Sequence, residues 1–107
     1  MKPTAEQIKP VEEWLRKTLL APVVVSGEQF SRELIWFRAN EETPGSPRYR
    51  LEISYEAFED HSSDTLVSAL KRVKAAETLR ANPETVYFLD RRLSFGVSKY
   101  AAQGSRP

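Results

Sequence analysis

The side chains best suited to proton transfer or metal binding in this chain of 107 residues lie in one run, Glu59-Asp60-His61-Ser62-Ser63-Asp64, around its single histidine. An imidazole beside carboxylates and hydroxyls has the chemistry of a general base or of part of a hard-metal site. A small hydrolase using His61 with Asp60 or Asp64 is one reading of that run. The plainer reading is structural. Ser and Asp ahead of a helix accept hydrogen bonds from the free N–H groups of its first turn, and no second histidine exists to build an imidazole metal site. The paired carboxylates Glu12-Glu13 and Glu41-Glu42 fall in an expected first helical turn and a loop tip, where acidic residues need no catalytic role. The four glycines stand singly at Gly27, Gly45, Gly96 and Gly104, which is no phosphate-cradling loop. With zero cysteines there is no thiol nucleophile, disulfide framework or Cys-containing zinc site. The reading therefore assigns no catalytic residue, metal or cofactor.

Binding chemistry is more evident. In a strand, Leu34 and Trp36 face opposite to Ile35 and Phe37, so both faces of that segment are apolar; Thr85-Val-Tyr-Phe-Leu89 has the same property. Strands apolar on both faces belong in the middle of a sheet. If helices cover one face, the other exposes some of Leu34, Trp36, Tyr87 and Leu89 beside Arg38, Arg48 and Arg50. Trp, Tyr and Arg dominate protein-binding hot spots, which makes Trp36 and Tyr87 the expected anchors, with the arginines around them. The same groups can stack unpaired bases. However, 16 Lys+Arg against 15 Asp+Glu leave a formal charge of only +1, too little to hold a phosphate backbone by bulk field. Nucleic acid is thus the second partner class, behind protein. Three coverings are open for the face: the chain's own N-terminal segment, Asn40–Pro47 loop or tail; a second copy of the chain, giving a homodimer; or a different protein.

These residues need elements to hold them. Val11, Trp14, Leu15, Thr18 and Leu19 recur at three- and four-residue spacing and predict a first helix. Pro10 is expected at its first position with Glu12 and Glu13 complementing the dipole; the alternative start is a capping box at Thr4 and Gln7. Val23–Val25 reads as a short strand closed by Ser26-Gly27. A second strand is expected from about Phe30 to Ala39, although the spacing of Phe30, Leu34 and Phe37 also suits a helix. After the loop Asn40–Pro47, Arg48 to Tyr55 alternates cleanly and pairs with it as a hairpin. Glu56–Asp60 suits a single helical turn, and Ser62, Ser63 and Asp64 are candidate caps for a second helix. That helix carries Leu66, Ala69, Leu70, Val73 and Ala76 on one side and stops at Asn82-Pro83. Thr85–Leu89 and Leu93–Val97 form a second hairpin around Asp90-Arg91-Arg92.

The expected architecture is one two-layer α+β domain in the order α-β-β-β-α-β-β, a mostly antiparallel sheet with both helices on one face. Its ordered core is expected at about 8–99, with 100–107 a flexible tail. The basic run Lys71-Arg72-Val73-Lys74 after an αβββ order resembles the double-stranded-RNA-binding domain, whose second helix opens with phosphate-contacting lysines. Here the basic residues fall in mid-helix, and that family's Gly-Pro and His loop has no counterpart. The element order also resembles type III secretion chaperones and phage tail-terminator proteins, a likeness of topology that does not fix function. No apolar run approaches the roughly 20 residues of a membrane span, so no membrane partner is expected. The absence of cysteine leads to a cytoplasmic expectation.

Overall fold

The computed structural model describes residues 2–26 and 33–98. Along the chain run α1 (Ala5–Leu19), β1 (Val23–Ser26), β2 (Leu34–Ala39), β3 (Tyr49–Ser54), α2 (Tyr55–Asp60), α3 (Ser63–Arg72), α4 (Ala75–Ala81), β4 (Val86–Leu89) and β5 (Phe95–Val97). The fold is α+β, with strands ordered β1-β2-β3-β4-β5 in space as in sequence. The pairs β1–β2, β2–β3 and β4–β5 are antiparallel, whereas β3 and β4 are parallel. The sheet is therefore mostly antiparallel, as expected, with one parallel pair that makes it mixed. The helices between β3 and β4 return the chain to the end of the sheet from which β3 started, and the next strand must then run the same way.

Helix α1 starts earlier than its proline suggests. Thr4 Oγ1 accepts from the Gln7 N–H at 3.2 Å while Gln7 Oε1 accepts from the Thr4 N–H at 2.8 Å, a reciprocal cap. Pro10 consequently lies inside the helix, correcting its expected first position. Its missing N–H leaves the Glu6 carbonyl without a helical donor. Contacts to the rest of the chain hold the first turns: Gln7 Nε2 donates to the Phe58 carbonyl at 3.2 Å, and Ser63 Oγ donates to the Gln7 carbonyl at 2.7 Å.

The expected second helix is two. Val73 closes α3, and Lys74 takes the left-handed conformation (φ 57°, ψ 46°) before α4. No Gly or Pro marks the break. The turn brings Ala75 and Leu79 into the core with α1 and β3. Of the candidate caps, Ser62 caps α3 by accepting from Thr65 N–H, while Ser54, the last residue of β3, caps α2 by accepting from Ala57 N–H. The expected single turn at 56–60 is thus a capped helix that follows β3 directly. The start of the expected second strand and the expected tail lie outside the described residues.

Register sorts the sheet's side chains. Val25, Phe37, Leu51 and Tyr87 stand in one row, with Ile35, Ile53 and Leu89 on the same face. That face joins Val11, Leu15, Phe58, Leu66, Leu70 and Leu79 of the helices in one buried core. Each fully buried aliphatic or aromatic side chain contributes about 1.5–3 kcal/mol, so this layer is what holds the fold together.

Candidate interaction surface

The opposite face of the sheet is set by the same register. Val24 lies opposite Arg38, which lies opposite Arg50 and then Val86; Ser26 lies opposite Trp36, followed by Glu52, Phe88 and Gly96. Leu34 and Ser54 complete this face at one end.

Of the residues expected at a binding site, Leu34, Trp36, Arg38 and Arg50 share this face, and Arg48 lies at its end, just ahead of β3. Tyr87 does not join them. It is paired with Leu51, stands on the helix side, is 8 % exposed and stacks on Phe95 with ring centroids 5.2 Å apart. The expectation failed at Tyr87 because β4 is apolar at both parities, and only its register against β3 decides which parity faces the helices. Phe88 and Val86 occupy the positions expected for Tyr87 and Leu89, and both are half-buried. Leu34 is on the face but 1 % exposed, and Glu52, Ser54 and Ser98 around that end are also buried. Solvent reaches the remainder, where Val24, Trp36, Arg38, Arg50, Val86 and Phe88 are exposed or half-buried.

The polar groups differ sharply in how they are engaged. Arg48 and Glu84 make a forked ion pair, with Arg48 Nη2 2.9 Å from Glu84 Oε1 and Nε 3.1 Å from the same oxygen. The hydrogen bond from Arg48 holds the Glu84 carboxyl below the ordinary glutamate range, and Glu84 in turn raises the Arg48 guanidinium. Arg50 Nη2 lies 3.3 Å from Glu41 Oε2, and Arg48 Nη1 lies 3.8 Å from the same atom, so the loop after β2 folds a carboxylate over two arginines. Arg38 is different. Its guanidinium carbon sits 4.7 Å from the centroid of the Trp36 ring, a cation–π geometry. Among the described residues its Nη2 reaches the Ser26 hydroxyl, at 3.4 Å, and it has no carboxylate partner. Trp36 Nε1, Arg38 Nε and Arg50 Nε are sheltered from solvent without an acceptor among the described residues. Sheltered donors left unmatched each cost on the order of 1–3 kcal/mol, a cost that an arriving acceptor would relieve.

The histidine run is held elsewhere. His61 Nε2 lies 2.8 Å from the Arg91 carbonyl. A carbonyl only accepts, so Nε2 carries a proton and donates it. The Asp60 carboxylate accepts from Arg91 Nε at 3.0 Å, and Glu56 stands 3.4 Å from Arg91 Nη1; these neighbours raise the Arg91 guanidinium, with the Asp60 hydrogen bond the largest cause. Ser62 caps α3 and Ser63 donates to Gln7. The run thus ties the β4–β5 turn to α2 and the start of α3. Among the described residues no three acidic or histidine side chains gather to hold a metal ion. The basic residues Lys71, Arg72 and Lys74 are exposed around the α3–α4 break. No helix among the described residues is long and apolar enough to cross a membrane.

No protein-family model, curated protein or solved structure matches this chain.

Proposed function

We propose that the chain is a non-catalytic protein-interaction domain that uses the face of its sheet turned away from the described helices to hold an acidic segment of a partner protein. The observation that carries this reading is Arg38. Two neighbouring arginines, Arg48 and Arg50, each have a glutamate, whereas Arg38 is stacked on Trp36 with none among the described residues. A partner carboxylate reaching Arg38 would make a charge-assisted hydrogen bond beside an aromatic surface, which is the usual composition of a hot spot. Trp36, Val24 and Phe88 supply apolar contact around it. The setting that goes with this reading is the cytoplasm, since a chain of zero cysteines needs no oxidising compartment to fold.

Single-stranded nucleic acid is the other partner suited to a stacked Trp and Arg. Protein is favoured because Glu41 and Glu84 neutralise two of the three arginines at this face, leaving little charge for a phosphate backbone. The test is a displayed random-peptide library selected on the full chain, with Arg38→Glu and Trp36→Ala selected in parallel. Acidic sequences enriched by the parent and lost in both variants are expected. Equal enrichment on Arg38→Glu would refute the site, and binding of an oligo-dT probe at low salt would transfer the face to nucleic acid.

A further inference from the structure

A second feature, adjoining the Trp36 cluster and sharing Val24 with it, is the outer edge of β1. The Asn40 N–H donates to the Pro22 carbonyl at 3.0 Å, and hydrogen-bonded pairs recur at every second residue of an antiparallel ladder. The backbone groups of Val24 are therefore turned toward Arg38 on β2, while the N–H and C=O of Val23 and Val25 point outward, where the sheet ends among the described residues. Edge strands are ordinarily blunted by a charged side chain, an internal proline or a bulge. This one reads Val-Val-Val-Ser with an unbroken register and has none of them. Val24, at the middle of this strand, is 37 % exposed. Beside the edge, α1 borders a groove of about 360 Å³ lined by Ile8 and Val25 together with Lys9, Arg16, Glu12 and Glu13.

We propose that this edge pairs with the β1 edge of a second copy of the chain across a twofold axis, joining the two sheets into one. The outward groups dictate the register. Only Val23 of one copy against Val25 of the other matches every outward N–H and C=O of both strands, and it places Val24 against Val24 on the axis. Those two side chains meet on the face of Arg38 at a non-hydrogen-bonded position, where opposed side chains approach most closely. On the helix side, two identical grooves come together. The outward backbone groups of β1, matched by their own twofold copies about an exposed Val24, make another copy of this chain the occupant. The joined sheet sets two Trp36–Arg38 clusters on one continuous face.

The full chain is tested by sedimentation across low-micromolar to near-millimolar concentration, since a short edge and groove belong to small, weak interfaces. The apparent mass is expected to rise from the 12.2 kDa of one chain toward twice that value. Amide exchange of Val23 and Val25 is expected to slow as concentration rises, while that of Val24, already bonded within its own sheet, stays constant. Val24 is partly exposed, so Val24→Lys and Val24→Glu should fold, each self-associating at least about tenfold more weakly, and an equimolar mixture of the two should recover the dimer. A monomer at all concentrations, a Val24→Lys protein that sediments like the parent, or a mixture that stays monomeric would each overturn the proposal. Trp36→Ala, which reports on the acidic-segment site, is expected to leave the mass curve unchanged, so the two readings fail separately.

Discussion

Replacing Pro10 with alanine should stabilise the protein, because Pro10 sits in the second turn of α1 rather than at its start. In a helix interior proline is about 3 kcal/mol less favourable than alanine, through the lost N–H and the clash of its ring with the carbonyl one turn back. Two features of this helix reduce that figure. Glu6, whose carbonyl loses its donor, is exposed, so water can serve as the replacement partner. The native helix has also accommodated the ring while keeping its cap and its tethers to Phe58 and Ser63. A net gain of about 1–2 kcal/mol remains, which in a domain of this size raises the melting midpoint by roughly 5–15 °C. Urea unfolding followed by far-ultraviolet circular dichroism measures it, with an unchanged slope showing that the end states are the same. If α1 instead began at Pro10, the ring would occupy a favourable first position and Pro10→Ala would be neutral or destabilising. That result would refute the assignment of residues 5–9 to the helix.

Ser98 Oγ donates to Glu52 Oε1 at 2.6 Å, both residues buried; Ser98→Ala should cost about 1.5–3 kcal/mol in the same urea assay, and a neutral result would mean that the other interactions of Glu52 suffice. Lys74→Gly should stabilise by up to about 1 kcal/mol, since Lys74 holds a left-handed conformation with no side-chain cap bond that glycine adopts without strain; a loss of thermal stability would show that the lysine side chain is needed at the α3–α4 break. The Glu84 carboxyl titrates below its ordinary range because Arg48 donates to it. Its contribution to stability is therefore complete above the unfolded-state value of about 4.3 and is lost as pH falls through the lower folded-state value. Glu84→Gln should remove that part of the acid dependence, and identical acid-unfolding curves for parent and variant would contradict it.

The layer of helices and the face of the sheet beneath it were legible because their signals are redundant. The clean alternation from Arg48 to Tyr55 and the helical spacing of Val11, Leu15 and Leu19 each have one geometric solution that buries the apolar set. Where two local rules competed, only the folded chain decided. At the start of α1 the proline rule and the capping-box rule gave different boundaries, and the box won because Gln7 also bonds Phe58 and Ser63, partners about fifty residues away that no local pattern reveals. The break at Lys74 had no Gly or Pro to announce it, and its cause, the seating of Leu79 against the core, is likewise long-range. The parallel pairing of β3 with β4 depends on three helical segments between them, whereas the sequence showed one long helix and an uncertain turn.

The same distinction explains the binding surface. Leu34-Ile35-Trp36-Phe37 and Val86-Tyr87-Phe88-Leu89 are apolar at both parities, so a reading by alternation cannot tell which members face the helices. Pairing can. Once Ile35 is opposite Ile53 and Leu51 is opposite Tyr87, the face of Trp36 is fixed as that of Arg38, Arg50 and Phe88, and Tyr87 belongs to the core. What no parity argument contains is the distribution of carboxylates. Glu41 reaches Arg50 from a loop and Glu84 reaches Arg48 from the turn before β4, so arginines that look alike in sequence become unlike in the fold. Two are neutralised by their neighbours, and the third is stacked on an indole at the partly open part of the face. It is this inequality, more than the amount of apolar surface, that directs the functional reading toward an acidic partner.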